Sequence, residues 1–350
     1  MYKDVNGKSV KLIYPIGTQV TFPSNNKYVI VGFLGCGVFG QVFRVQNENT
    51  GDFYALKIGR MKSGYVEQYE KEVEIYEIIN KMPKNEKSNF GSMIESFNDS
   101  VYSYIVFDLF VTDLYKEIKK RHHNGFPLCL IQSLLRNIVS GLISLHSRKI
   151  IHNDLKLENI TASSSSIAKI IDFGASVIKN TENIPKYTQS RFYRAPEVIL
   201  NLEKDEKIDI WSLGCIAVEL YIGVPCFAGK DEKHTLYLME VRLGQLPSSM
   251  ILSSPRKSEL FEPMVSKNNM YNHSYSSFQV KDPGVEYKKL DEHYHFYKIE
   301  EAIRTVEFPS DTIDAKDAFI DLVKRLLEFD PMKRISAKEI IDHKFLQMTI

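Results

Sequence analysis

Three short runs between residues 151 and 174 hold the side chains best suited to chemistry: His152-Asn153-Asp154-Leu155-Lys156, Glu158-Asn159 and Asp172-Phe173-Gly174. They set two aspartates eighteen residues apart, with a lysine and an asparagine following the first. Phosphoryl transfer from a magnesium nucleotide needs this assortment. A carboxylate takes the proton of the acceptor hydroxyl, and an ammonium steadies the moving phosphoryl group. An amide oxygen and a second carboxylate hold the metal ions that neutralise charge between the phosphates. Asp-Phe-Gly alone is an ordinary turn; the whole set, in this order and at this spacing, is the signal.

Several elements must position these groups. Residues 161–166 are polar enough for a hairpin turn, and residues 167–171, apolar except for Lys169, suit a largely buried strand. Residues 131–146 form a long apolar-patterned helix that delivers the chain to the catalytic runs. Upstream, Tyr28–Leu34 reads as a strand, Gly35-Cys36-Gly37-Val38-Phe39-Gly40 as a glycine loop and Gln41–Val45 as a second strand. A bare GxGxxG also opens dinucleotide-binding folds, but there a helix follows the glycines. Here an alternating β-branched and aromatic run follows, so the loop is a hairpin tip, a flap whose backbone N–H groups can approach phosphate oxygens. Cys36 in that loop reads as a small filler, with a redox or electrophile handle as the alternative. The strand at residues 53–58 carries Lys57 in an apolar run, and the helix at residues 66–81 places Glu72 in line with its stripe of Ile75, Tyr76 and Ile79. Glu70 and Glu74 compete for the same role. A strand at residues 102–107, a break at Asp108-Leu109-Phe110 and a helix at residues 113–120 follow. Residues 1–27 alternate polar and apolar, with Asn6-Gly7 as a hairpin turn and residues 14–21 extended; this leader either caps a sheet or hangs loose.

The catalytic runs resemble the protein-kinase family. The resemblance covers roughly residues 28–346 and implies an α+β, two-lobed fold: a small β-sheet lobe with one long helix, and a larger, mostly helical lobe. It divides the chain into a leader (1–27), an N-lobe (28–107), a hinge (108–111) and a C-lobe (112–346). It implies ATP and Mg2+ as cofactors. Asp154 is then the general base, Lys156 faces the γ-phosphate, and Asn159 and Asp172 are the magnesium ligands. The nucleotide would be held by Leu34, Gly35, Cys36, Gly37, Val38, Phe39, Gly40, Gln41, Val42 and Ala55, with Lys57 on the α and β phosphates and Glu72 paired to it. Phe107 is similar in position to the residue behind the adenine, and Asp108, Leu109 and Phe110 to the hinge. His152 takes a structural place under Phe173. Three departures stand out. Asn153 occupies the place of an arginine common in kinases switched by loop phosphorylation. Leu157 replaces a proline. Thr161 replaces a leucine expected under the adenine, weakening apolar contact by about 1 kcal/mol.

The activation segment resembles a narrower group. Tyr187-Thr188-Gln189-Ser190-Arg191-Phe192-Tyr193-Arg194-Ala195-Pro196-Glu197 is similar to the dual-specificity tyrosine-regulated kinases of the CMGC group, and Leu246-Pro247-Ser248-Ser249-Met250 to their Yak-type branch. The homeodomain-interacting and splicing-factor kinases are the alternative branch; a pseudokinase scaffold and a small-molecule kinase are more distant ones. The resemblance implies serine/threonine transfer to proteins, tyrosine autophosphorylation at Tyr187, and a preference for arginine before and proline after the acceptor. A phosphate on Tyr187 would meet Arg191 and Arg194. Pro185 stands where many relatives have a second tyrosine. Ser190 would reach Asp154 and Lys156, and Glu197 would pair with Arg334. Asp209 would support the catalytic-loop backbone. Residues 252–297 look like an insertion, and residues 315–327 and 336–345 like the closing helices, the last capped by Ser336 ahead of Glu339.

Composition narrows the remainder. A net charge of +1 gives no global pull toward nucleic acid or an anionic membrane. No window has the about 18 unbroken apolar residues of a membrane span, and Met1-Tyr2-Lys3-Asp4 is too polar for a secretory signal. Cys36, Cys129, Cys215 and Cys226 show neither CxxC nor zinc spacing. The expectation is an intracellular monomer, cytoplasmic or nuclear, acting on protein substrates.

Overall fold

The computed structural model describes residues 2–3, 9–37, 40–62, 64–162, 167–179, 183–263, 278–281 and 298–350. The chain divides into two compact units, Met1–Thr112 with Thr161–Ser163 and Lys169–Ser176, and Asp113–Ile160 with Ser164–Ala168 and Val177–Ile350.

The first unit is built on a six-stranded antiparallel sheet in the order Gln19–Thr21, Lys27–Gly37, Gly40–Asn47, Phe53–Arg60, Tyr102–Asp108, Met93–Asn98. Alternation sets its inner face: Tyr28, Ile30, Phe43, Val45, Leu56, Ile58, Tyr104 and Val106 are buried together. The leader supplies part of this core. Val20 sits opposite Tyr28 in the ladder, and Val20 and Phe22 join the cluster. Glu95 then fastens the following turn, accepting from Asn26 Nδ2 and Tyr28 Oη at 2.7 Å each and from Ser24 Oγ at 2.5 Å. The sheet therefore begins before Tyr28; the Asn6-Gly7 turn lies outside the described residues. Helix Val66–Asn80 buries Glu72, Ile75, Tyr76 and Ile79, the stripe read from the sequence.

The second unit is helical. Helix Leu128–Ser147 starts directly after Pro127 and buries Ile131, Leu134, Leu135, Ile138 and Leu142. It is long and apolar enough to cross a membrane by composition, but 61% of its most apolar window is buried inside the protein. Helix Lys207–Ile222 is buried on every side from Ile208 to Tyr221. The closing stretch differs from the single helix expected over 336–345. Ser336 and Glu339 form a capping box for Ala337–Ile341, then an extended His343 breaks the helix and caps Lys344–Gln347 with its own ring. Residues 161 and 162 belong to strand Ile160–Ala162 rather than to the expected turn, whose remainder, 163–166, lies outside the described residues, as does most of 252–297.

Glu197 and Arg334 close this unit. The guanidinium donates to both carboxylate oxygens, at 2.6 and 3.0 Å, and to the carbonyls of Glu328, Phe329 and Lys207, with both side chains at 1% exposure or less. Removing one partner strands a buried charge. Glu197→Ala is expected to destabilise the chain by about 3–5 kcal/mol in urea unfolding, whereas a change under about 1 kcal/mol would show that the pair is not a structural keystone.

Candidate active site

In strand Phe53–Arg60 the core takes Leu56 and Ile58, so Ala55 and Lys57 face the opposite side. Lys57 Nζ donates to Oε1 and Oε2 of Glu72, both at 2.8 Å, and to Asp172 Oδ1 at 3.3 Å. Of the three candidate glutamates, Glu72 is the one that pairs. Burial works against the lysine's charge, but Asp172 and Glu72 together outweigh it and hold the ammonium above its ordinary range. Burial in turn raises the Glu72 carboxyl, offset in part by Lys57. Asp172 has a left-handed backbone (φ 63°) and a half-exposed side chain. Its N–H is directed at Tyr76 Oη at 3.3 Å. The ring of Tyr76 lies 5.0 Å from Phe173 and 4.9 Å from Phe107. The sequence marks Tyr76 as part of the buried stripe one helical turn after Glu72, but not its contact with Asp172.

The glycine loop is the tip of the hairpin between Lys27–Gly37 and Gly40–Asn47, with Gly35 opposite Val42, Cys36 opposite Gln41 and Gly37 opposite Gly40. Leu34, three residues before the end of the first of these strands, is exposed. Val38 and Phe39 lie outside the described residues. At Gly40 a Cβ would fall 2.2 Å from the Ile58 carbonyl oxygen, so only glycine permits this approach. Gln41 turns its amide to the leader, accepting from Ile13 N and donating to Lys11 O at 2.8 Å each. Ala55 is paired with Phe107 across the ladder. Asp108 ends the strand and exchanges backbone and side-chain bonds with Ser92, and Leu109 and Phe110 are half-buried. Thr161 is buried, its hydroxyl directed at the Lys169 carbonyl at 3.4 Å.

In the second unit several contacts converge on Asp154. Its Oδ1 accepts from the N–H and the hydroxyl of Ser190, at 2.9 and 2.8 Å, and its Oδ2 from Lys156 Nζ at 2.6 Å. Lys156 also reaches Ser190 Oγ at 3.2 Å. Asn159 donates its amide to the Asp154 carbonyl at 2.9 Å, which leaves the amide oxygen as the atom a metal ion could take. Below, Asp209 is fully buried. It accepts from His152 N at 2.8 Å and Asn153 N at 2.9 Å, and is 2.9 Å from His146 Nε2. His152 is buried, with Asp154 N directed at its Nδ1 at 3.3 Å. Taken each in its own unit, Asn159 offers an amide oxygen and Asp172 a half-exposed carboxylate, each a hard donor of the type Mg2+ takes. Among the described residues, no group of three or more His, Cys, Asp or Glu forms a separate metal centre.

The activation segment is ordered around Arg194, which is 2% exposed. It donates to the carbonyls of Thr188 (2.8 Å) and Gln189 (2.7 Å), and its guanidinium lies 4.0 Å from the centroid of the exposed Tyr187 ring. Arg194, with Arg191 adding to it, holds the Tyr187 phenol below its ordinary value. Arg191 also donates to the Lys230 carbonyl at 2.5 Å. Gln189, left-handed at φ 62°, bonds Ile208 O, Ser212 Oγ and Ala195 N through its side chain. No sequence signal marked Gln189 beyond its place in the motif. Nearby, Glu219 accepts from Tyr193 Oη at 2.8 Å. Burial, with Glu158 adding to it, pushes the Glu219 carboxyl up from 4.5 to about 8 against the bond from Tyr193.

A protein kinase domain model matches residues 28–346. The chain is 31% identical over 347 residues to homeodomain-interacting protein kinase 1 of Caenorhabditis elegans, 32% over 340 to dual specificity protein kinase YAK1 of Saccharomyces cerevisiae, and 35% over 324 to dual specificity tyrosine-phosphorylation-regulated kinase 2 of Drosophila melanogaster. These alignments take in 93%, 92% and 92% of this chain but 41%, 42% and 41% of the relatives, so it spans about four-tenths of their length.

The buried Glu219 has a consequence for stability. Its carboxyl ionises near 4.5 when unfolded and near 8 when folded, so the unfolded chain loses the proton first and stability falls as pH rises between those values. Glu219→Gln keeps an acceptor for Tyr193 without the ionisation. In urea melts the variant's advantage over the parent is expected to grow from pH 5 to pH 8; a constant difference would contradict the assignment.

Proposed function

We propose that this chain, which belongs to the protein kinase family, transfers the γ-phosphate of ATP to serine and threonine hydroxyls of proteins and phosphorylates its own Tyr187. The observation that carries the reading is the environment of Asp154. One carboxylate oxygen already holds a hydroxyl, that of Ser190, at 2.8 Å, while the other is tied to Lys156. An acceptor hydroxyl in the same relation would be oriented, and its proton taken, by Asp154 as the phosphoryl group arrives. Lys156 supplies positive charge for that group. Lys57, steadied by Glu72, suits the α and β phosphates. Asn159 and Asp172 would hold Mg2+, which when bound neutralises charge between the phosphates. ATP and a protein acceptor are the substrates.

The acceptor's neighbour is constrained by Gln189. Its left-handed backbone and the 2.7 Å bond from Arg194 commit its carbonyl to the protein's interior. A substrate residue with an N–H following the acceptor would lose a hydrogen-bond partner there. Proline has no N–H to satisfy, so proline after the acceptor is favoured. Tyr187 combines exposure, a depressed phenol and two adjoining guanidiniums, which suits it both to accept phosphate and to hold it. The relatives whose names include dual specificity and tyrosine phosphorylation support this reading.

The test is magnesium-dependent transfer from labelled ATP to a basic serine peptide with proline after the acceptor, alongside mass spectrometry of Tyr187. Wild-type protein is expected to label the peptide and to carry phosphate on Tyr187. Asp154→Asn should cut kcat by about 100- to 10,000-fold. Absence of transfer by the wild type, or full activity of Asp154→Asn, would overturn the reading.

A further inference from the structure

The donors of Arg194 are divided among three acceptors, and two of them, the carbonyls of Thr188 and Gln189, are neutral. The third is Glu232 Oε1 at 2.9 Å. The other oxygen of Glu232 accepts from Arg256 Nη1 at 2.7 Å. Arg256 in turn donates to the Ile199 carbonyl at 2.8 Å and to Glu259 at 2.6 and 2.9 Å. Glu232 is itself fixed: it opens helix Glu232–Leu243, whose cap Asp231 accepts from His234 N at 2.9 Å. One partly exposed carboxylate thus bridges a buried guanidinium of the activation segment to a second guanidinium, that of Arg256, near the start of the 252–297 stretch.

We infer that Glu232 is a positioning residue for acceptor recognition: through Arg194 it keeps the Gln189 carbonyl turned inward and thereby sets the preference for proline after the acceptor. The inference rests on the kinase reading. Glu232 is the carboxylate to which this buried guanidinium donates, a counter-charge present whether or not Tyr187 carries phosphate. Without Glu232, Arg194 keeps its bonds to the Thr188 and Gln189 carbonyls but loses its carboxylate partner, which frees the guanidinium to shift and the Gln189 carbonyl to accept an N–H from the substrate. Peptides with an ordinary residue after the acceptor then gain relative to those with proline.

Two serine peptides differing only in proline or alanine after the acceptor supply the readout, as the ratio of their kcat/KM values on the full chain. Glu232→Gln is expected to lower that ratio about tenfold. Glu232→Asp, whose shorter carboxylate spans the two arginines poorly, should lower it about threefold and guards against a Gln variant that fails to fold. A merely structural role would reduce both peptides alike. An unchanged ratio in whichever variants fold, or equal losses on both peptides, overturns the inference. No transfer to either peptide by the wild type would instead remove the kinase reading beneath it.

Discussion

The catalytic loop is suspended from one buried carboxylate. Asp209 sits in the first turn of the helix Lys207–Ile222, where an acidic group is favoured by the helix dipole, and it is fully buried. A lone charge there would be prohibitive. It is matched instead by the N–H groups of His152 and Asn153 and by His146. Those two N–H bonds help hold Asn153 in a left-handed conformation that only a few residue types adopt readily. From that turn Asp154 projects with its carboxylate placed for Ser190 and Lys156. A rigid helix, rather than the loop itself, therefore sets the position of the working acid.

The other unit follows the same logic with the charges arranged differently. Glu72 is buried on a helix stripe otherwise made of Ile75, Tyr76 and Ile79, and it repays its desolvation through both oxygens on Lys57. Lys57 is shared with Asp172, so the ammonium is held between two carboxylates and stays charged. In each unit a buried acid has a structural duty and a more exposed acid, Asp154 or Asp172, is the one proposed for chemistry.

The parts legible in the sequence were those where chemistry demands a residue type at fixed spacing. Asp154, Lys156, Asn159 and Asp172 stand out by type and spacing, and the stripe of one helix together with the family resemblance favours Glu72, the glutamate that pairs with Lys57, over Glu70 and Glu74. The Glu197–Arg334 pair and the support by Asp209 were legible through the family resemblance. Other features depend on contacts between distant stretches that have no local signature. The leader joins the sheet because Val20 and Phe22 find Tyr28 and Phe97, and Gln41 serves Lys11 and Ile13. Arg194 reads from sequence as a partner for a phosphate on Tyr187, and its bonds to Thr188, Gln189 and Glu232 have no local signature. The break at His343 was missed because a histidine ring that caps the following turn looks, in one dimension, like any helical residue.

The most direct measurement is steady-state kinetics of Asp209→Asn beside calorimetric ATP binding. Asparagine keeps the shape but turns an N–H donor toward one of the backbone N–H groups it must accept from. If the loop hangs from this carboxylate, kcat falls about 100-fold, as expected for a small misplacement of the reacting acid, while ATP affinity stays within about twofold. An unchanged kcat in a folded variant would contradict the account.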